Sequence, residues 1–245
     1  MLRPGLLASL TFLACAACAT PTATAAPLAA PRPTSPPAVR TPPRPAPEAP
    51  PRAAPDDSLR GRVVERAASA IGAPRLSRIT REVSDDCTGF VRWAYRASGE
   101  DLVEGSAGTM LSIASRARAL RRGGRPQPGD LVFFRETYDR DSDRRRDDGI
   151  THVGVVERVE PDGTVVFAHR ASTGVKESRM NLRFPSKPKA SDGHVLNDYI
   201  RRGSAKRRGK LTGEQFAGYA DLEQLYRSRA GGGAALARVP APRGR

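Results

Sequence analysis

Asp86-Cys87-Thr88-Gly89-Phe90-Val91 opens an amphipathic run in which Phe90, Val91, Ala94 and Ala97 recur at helical spacing up to Gly99. The pattern predicts a helix that buries one face and stops with glycine at C′. Cys87 then lies at a helix N-terminus, where unpaired N–H groups and the positive end of the macrodipole favour a thiolate. It is the only cysteine outside the first 18 residues, so it has no partner for an intrachain disulfide beyond that leader. A thiol in this position points to nucleophilic chemistry if an imidazole lies close by.

The chain holds three histidines. His152 opens His152-Val153-Gly154-Val155-Val156, and His169 closes Thr164-Val165-Val166-Phe167-Ala168-His169, with Pro161-Asp162-Gly163 between them. Two β-branched runs joined by turn residues predict an antiparallel hairpin that brings both imidazoles to one end of a sheet. Cysteine, histidine and a second polar group form the general nucleophile, base and orienter arrangement. His194 has no motif around it and is read as structural or exposed.

Four blocks in order resemble the NlpC-type and CHAP-type cysteine peptidases and amidases that act on cell walls. They are Asp86 to Val91, Pro126-Gln127-Pro128-Gly129-Asp130-Leu131-Val132-Phe133-Phe134, His152 to Val156, and Phe167-Ala168-His169-Arg170-Ala171-Ser172. The resemblance covers residues 60 to 200 and implies an α+β, papain-like NlpC/CHAP fold, with N-terminal helices carrying the cysteine packed on an antiparallel sheet carrying the histidines. By position it makes Cys87 the nucleophile, His152 the base and His169 the polar third member, acting on amide bonds of peptidoglycan without a metal or cofactor. Asp86 and Thr88 flank the nucleophile as candidate substrate-binding residues. Many NlpC-like members carry an aromatic and paired glycines before the nucleophile. Residues 73–85 have neither, so the usual specificity for a γ-D-glutamyl bond is not carried over.

Around this core the sequence predicts helices over Leu59 to Ile71, Thr109 to Arg122 and Thr212 to Arg229, the last with a Thr212/Gln215 capping box. Asp130 to Phe134 and Val175 to Leu182 read as further strands. The domain is expected to span residues 57–229, about 190 residues with the tail, enough for one core. Ala230 to Arg245, rich in glycine, alanine and proline, reads as a disordered tail.

Arg3 and the apolar run Leu6 to Cys18 have the form of an export signal, too short for a mature membrane span. Ala16-Ala17-Cys18 resembles the cleavage box of bacterial lipoproteins, which makes Cys18 a candidate lipidation site, with cleavage near Ala26 as the alternative. Residues 19–56, dense in proline and alanine, read as a linker. The expected location is the cell envelope, periplasmic or anchored to the outer membrane, and the expected state a monomer. A second reading is an anchored peptidoglycan-binding lipoprotein with a degenerate site. The net charge of +15 invites a nucleic-acid reading, but export and the lack of interleaved stacking aromatics exclude it. The basic run Arg201 to Lys210 suits anionic envelope surfaces instead.

Tyr138-Asp139-Arg140-Asp141-Ser142-Asp143 spaces carboxylates like the opening of an EF-hand loop. Arg144 stands where that loop needs glycine and Ile150 where it needs glutamate, so the stretch reads first as a solvated insertion laced with ion pairs, with calcium binding, aided by a fold-back of Asp147 and Asp148, as the alternative.

Overall fold

The computed structural model describes residues 57–99, 101–143, 145, 147–203 and 208–236. The leader with Cys18, the linker up to residue 56 and the tail after residue 236 lie outside the described residues.

Three helices lead the domain: α1 (Leu59–Ser69), α2 (Cys87–Tyr95) and α3 (Ala107–Arg116). Each begins at a side chain that accepts an otherwise unpaired backbone N–H. Ser58 caps α1 by accepting from Gly61, Asp86 caps α2 from Gly89, and Ser106 caps α3 from Thr109. A 3₁₀ turn over Arg96–Ser98 extends α2 to Gly99, whose φ of 84° is the left-handed stop expected from the sequence.

The helices cover one face of a six-stranded antiparallel sheet. Its strands are β1 (Leu120–Arg121), β2 (Leu131–Arg135), β3 (Ile150–Val159), β4 (Val165–Ala171), β5 (Gly174–Met180) and β8 (Phe216–Ala220), in spatial order β1-β8-β2-β3-β4-β5. β6 (Tyr199–Arg201) and β7 (Lys210–Leu211) pair separately. This is the α+β arrangement the sequence implies, with the histidine hairpin formed by β3 and β4.

Strand alternation divides the core in two. Leu131, Phe133, Val153, Val155 and Ala168 pack with Val63, Phe90, Val91 and Met110 from the helices. Val132, Phe134, Val156, Phe167, Met180 and Tyr219 form a second buried cluster. The period-2 pattern of β2 and β3 is buried on both faces, which is why both strands read as nearly continuous apolar runs.

Three expectations change. Residues 117–122 leave the helix: Arg118 has φ 54°, and Leu120 and Arg121 become β1 by pairing with Ala220 and Tyr219. The helix over Thr212 to Arg229 is instead one turn, α4 (Thr212–Gln215), then β8, then α5 (Leu222–Leu236). Phe216 to Ala220 is drawn into the sheet because it fills the place between β1 and β2, and tertiary pairing outweighs the helical spacing of its apolar residues. The capping contact shifts by one residue, with the Leu211 N–H donating to Glu214 Oε2 at 2.9 Å. Leu222 and Leu225 do lie on a buried helical face, within α5. That helix continues past Ala230 to Leu236, because extending a formed helix costs less than nucleating one.

The Pro-Gly-Asp block has a structural reason. Asp130 is fully buried and accepts from Arg60 Nη1 at 2.7 Å, Arg121 Nη2 at 2.6 Å, Gln127 N at 3.0 Å and Leu222 N at 3.2 Å. One carboxylate thus ties together α1, β1, the entry to β2 and the start of α5.

Candidate active site

Cys87 is the first residue of α2, and the geometry of its turn follows from its neighbours. Asp86 Oδ1 accepts from Gly89 N at 2.8 Å and from Thr88 Oγ1 at 2.7 Å. A Cβ on Gly89 would stand 1.8 Å from the Ser84 carbonyl oxygen, so only glycine lets the preceding loop lie this close to the helix. Asp85 holds the same loop to the end of β4, accepting from Arg170 Nε at 2.8 Å and from Leu76 N at 2.7 Å. Asp86 and Thr88, read as substrate-binding candidates, therefore spend these contacts on shaping the nucleophile turn. Burial works against ionisation of Asp86, but the hydrogen bonds from Gly89, Thr88 and Ser84 outweigh it and lower its pKa.

The two histidines meet as the hairpin reading requires. His152 Nε2 lies 2.7 Å from His169 Nδ1, and His169 Nε2 lies 3.0 Å from Ser178 Oγ. The rings are edge to face, with centroids 4.9 Å apart. All three side chains are buried. If His152 Nε2–H donates to His169 Nδ1, then His169 Nε2–H donates to Ser178, and His152 Nδ1 is left with a lone pair. Ser178 comes from β5, where it faces Phe167 across the ladder and shares a sheet face with His169. Nothing in Lys176-Glu177-Ser178 marks it in the sequence; only the strand register brings it under the histidine.

Thiol and imidazoles approach the sheet differently. His152 pairs with Phe134 across β2 and shares the face of Phe134, Gly154 and Phe167, whereas Val153 and Val155 face the helices. The ladder between β3 and β4 begins at Val155 and Ala168, and before it the Val153 N–H acts on the Cys87 thiol. Among the described residues, no hydrogen bond joins the thiol to either imidazole.

The electrostatics correct one expectation. The Cys87 thiol is pushed up to about 11 by burial and by the Asp86 charge, despite the opposing N–H groups of Val153, Cys87 and Thr88. Burial lowers His152 to about 4, against partial compensation by Asp86, and takes His169 well below its usual value with help from His152 and Lys176. The resting pair is therefore neutral thiol and neutral imidazole, because desolvation outweighs the helix N-terminus.

Tyr138, from the insertion between β2 and β3, is a further site residue. Its phenol is raised by burial and then by the charge of Cys87, which puts it within electrostatic reach of the thiol. The base of that insertion is fixed next to His152, where Thr151 Oγ1 accepts from Thr137 N at 2.9 Å. His194 stays outside the site as expected, half-exposed against Asp192 and Asp162.

The family model of the CHAP domain matches residues 79–170, a stretch that contains Cys87, His152 and His169 and ends before Ser178. Over residues 79–170 the chain is similar to the CHAP domain. A solved N-acetylmuramoyl-L-alanine amidase from Staphylococcus aureus is similar with TM-score 0.30 and 24% identity, over 41% of this chain and 30% of that one. No curated protein matches the chain. The CHAP domain thus accounts for the order of the blocks from the nucleophile turn to β4. Ser178, at the far end of the buried chain, lies outside it.

Proposed function

We propose that the CHAP domain hydrolyses a peptide or amide bond of peptidoglycan by cysteine nucleophile catalysis. The observation that carries this reading is the buried chain Ser178–His169–His152, which leaves Nδ1 of His152 as its unassigned end, on a ring that feels the charge of Asp86 next to Cys87 in the chain. As Sγ bonds to the carbonyl carbon, its proton passes to His152 Nδ1, so the neutral resting pair becomes ionic only in the transition state. His169 holds the tautomer and spreads the imidazolium charge toward Ser178. The N–H groups of Cys87 and Thr88, which already act on the thiol, are candidate donors for the oxyanion. His152 returns the proton to the leaving amine, and water then cleaves the thioester. The acidic side chain of Asp86 offers an attraction for a stem-peptide ammonium, and Thr88 a polar contact beside it.

In this reading the chain is exported, Cys18 is lipidated, and the proline-rich segment tethers a monomeric enzyme within reach of the wall. At about 3.1 Å per residue, such a segment extends on the order of 100 Å when stiff. The basic character of the chain favours anionic wall and envelope surfaces.

The test is digestion of purified sacculi with mass spectrometry of the released fragments, with Cys87→Ala in parallel. New ends that depend on Cys87 are expected, and their masses name the bond. The raised thiol favours one other reading, a wall-binding lipoprotein with an inert site. Its signature is sacculus binding without Cys87-dependent release.

A further inference from the structure

The insertion between β2 and β3 is closed at its neck, where Glu136 N donates to the Gly149 carbonyl at 3.1 Å and Gly149 N to Glu136 Oε1 at 2.9 Å. Inside it, carboxylate oxygens of Asp139, Asp141 and Asp148 all lie within 4.8 Å of one another. The trio differs from the one that the sequence spacing suggests. Asp143 turns away to accept from Arg145 N at 2.7 Å and stands near the Arg145 guanidinium, and Asp148 folds back from the far end of the loop in its place.

Asp148 points to a ligand independently of the clustering. It is 8% exposed; its Oδ1 accepts from Arg140 N at 2.9 Å, and its buried Oδ2 has no hydrogen-bond partner. Among the described residues neither Asp141 nor Asp148 forms an ion pair with arginine or lysine. A buried, unpartnered carboxylate oxygen beside two other carboxylates is costly, and a bound cation offsets that cost. With no histidine or cysteine in the cluster, the donor set is all oxygen and suits a hard cation. Oxygens that share a calcium ion at 2.3–2.6 Å lie within about 5 Å of one another.

We propose that Asp139, Asp141 and Asp148 form a calcium site in the β2–β3 insertion. Loop carbonyls and water complete the six to eight ligands that calcium takes. The ion bridges the two arms of the insertion and fixes the loop that carries Tyr138, one residue from Asp139. Its consequence for turnover rests on the hydrolase reading; the binding itself does not.

Calorimetry on the chelator-stripped full chain, titrated with calcium chloride, is expected to show one site, with Kd on the order of 10⁻⁴ M as in extracellular calcium modules. Terbium is expected to give emission sensitised through Tyr138, lost in Tyr138→Phe while the calcium heat persists. Asp141→Asn, at an exposed position that tolerates the change, and Asp148→Asn are each expected to weaken calcium at least tenfold. Asp192→Asn, an exposed acid elsewhere, is expected to leave it unchanged. No calcium heat in the wild type, or equal heats in Asp141→Asn, overturns the site, and equal affinity for magnesium overturns its assignment to calcium. These readouts do not depend on wall cleavage, so a failed hydrolase reading leaves them interpretable. Wall release that is indifferent to calcium would remove the role given to Tyr138.

Discussion

Two of the buried polar networks among the described residues solve the problem of burial in opposite ways. Around Asp130 the network is charged and closed: two arginines and two backbone N–H groups meet one carboxylate. From Ser178 through His169 to His152 the network is neutral and open, because its last nitrogen finds no acceptor or donor among the described residues. A buried charge with every lone pair satisfied holds elements together. A neutral chain with a free end can take up charge at that end. Being buried and polar is common to both; the difference in purpose lies in whether the hydrogen bonds close on themselves.

The comparison breaks first on activity. Cys87→Ala or His152→Ala is expected to lower Cys87-dependent wall release by 10³-fold or more on the scale of lost nucleophile–base pairs, roughly 4 kcal/mol of barrier. Melting temperatures should stay close to wild type for Cys87→Ala and fall by a few degrees for His152→Ala, which leaves the buried His169 Nδ1 without its partner. A large drop in melting temperature for Cys87→Ala would show that the site carries the fold as well.

Asp130→Asn is the mirror experiment. It leaves Arg60 and Arg121 facing an amide, and because both arginines keep some solvent contact, the expected cost is about 3 kcal/mol, at the lower end for a broken buried pair. For a domain of this size that is roughly 6–12 °C in Tm. Wall release per folded molecule should change little. A variant that melts normally but is inactive would move Asp130 from the scaffold into the site.

Ser178→Ala sharpens the open network. Loss of one hydrogen bond to His169 is worth about 1 kcal/mol, or five- to tenfold in rate. A positioning role predicts that kcat falls while KM holds, and that the pH profile of the reaction shifts. A change confined to stability would mean that Ser178 is only a core polar residue.

Acidity tests the same network through its charge. His152 titrates at about 4 when folded against 6.5 ordinarily, because burial disfavours the imidazolium, and His169 is depressed further. The unfolded chain therefore binds more protons between these values. The stability of the site is complete above about pH 6.5 and is lost as the pH falls toward about 4. The acid limb of wall release is expected near pH 4 rather than 6.5. Alkylation of Cys87 by iodoacetamide should stay slow at neutral pH and rise toward about 11, where the thiolate forms. Rapid alkylation near pH 6 would show a resting thiolate–imidazolium pair instead.

The site was legible where local rules act. A capping carboxylate, a nucleophile at the helix start and two valine-rich strands around Pro161-Asp162-Gly163 put Cys87, His152 and His169 on the right elements. The Pro-Gly-Asp block was legible as a motif but not as the meeting point of Arg60, Arg121 and α5, which come from 70, 9 and 92 residues away. Ser178 depends on strand register, which leaves no periodic trace, whereas a fold-back of Asp148 could be suspected from its carboxylate but its closure with Asp139 and Asp141 could not. Phe216 to Ala220 misleads for the same reason: its apolar spacing is helical, but the gap between β1 and β2 decides its conformation. The thiol's ionisation failed differently. The helix N-terminus was correctly placed, and only the folded chain reveals that desolvation exceeds its effect.

The smallest effect separates the two jobs given to Asp86. As the cap of α2 it accepts from Gly89 N, and removing a cap of this kind costs about 1 kcal/mol. Asp86→Asn keeps most of that capping ability while removing the charge that raises the thiol and partly offsets the lowering of His152. Asp86→Ala should therefore lower Tm by a few degrees, whereas Asp86→Asn should leave it nearly unchanged. Both variants should bring Cys87 alkylation to lower pH, since the nearby negative charge is gone in each. If Asp86→Asn also weakens binding of stem peptides that carry a free ammonium, the charge serves substrate as well as the turn. If binding is unchanged while the alkylation profile shifts, Asp86 is a cap whose charge acts on the thiol alone, and the substrate contact must come from elsewhere around the mouth of the site.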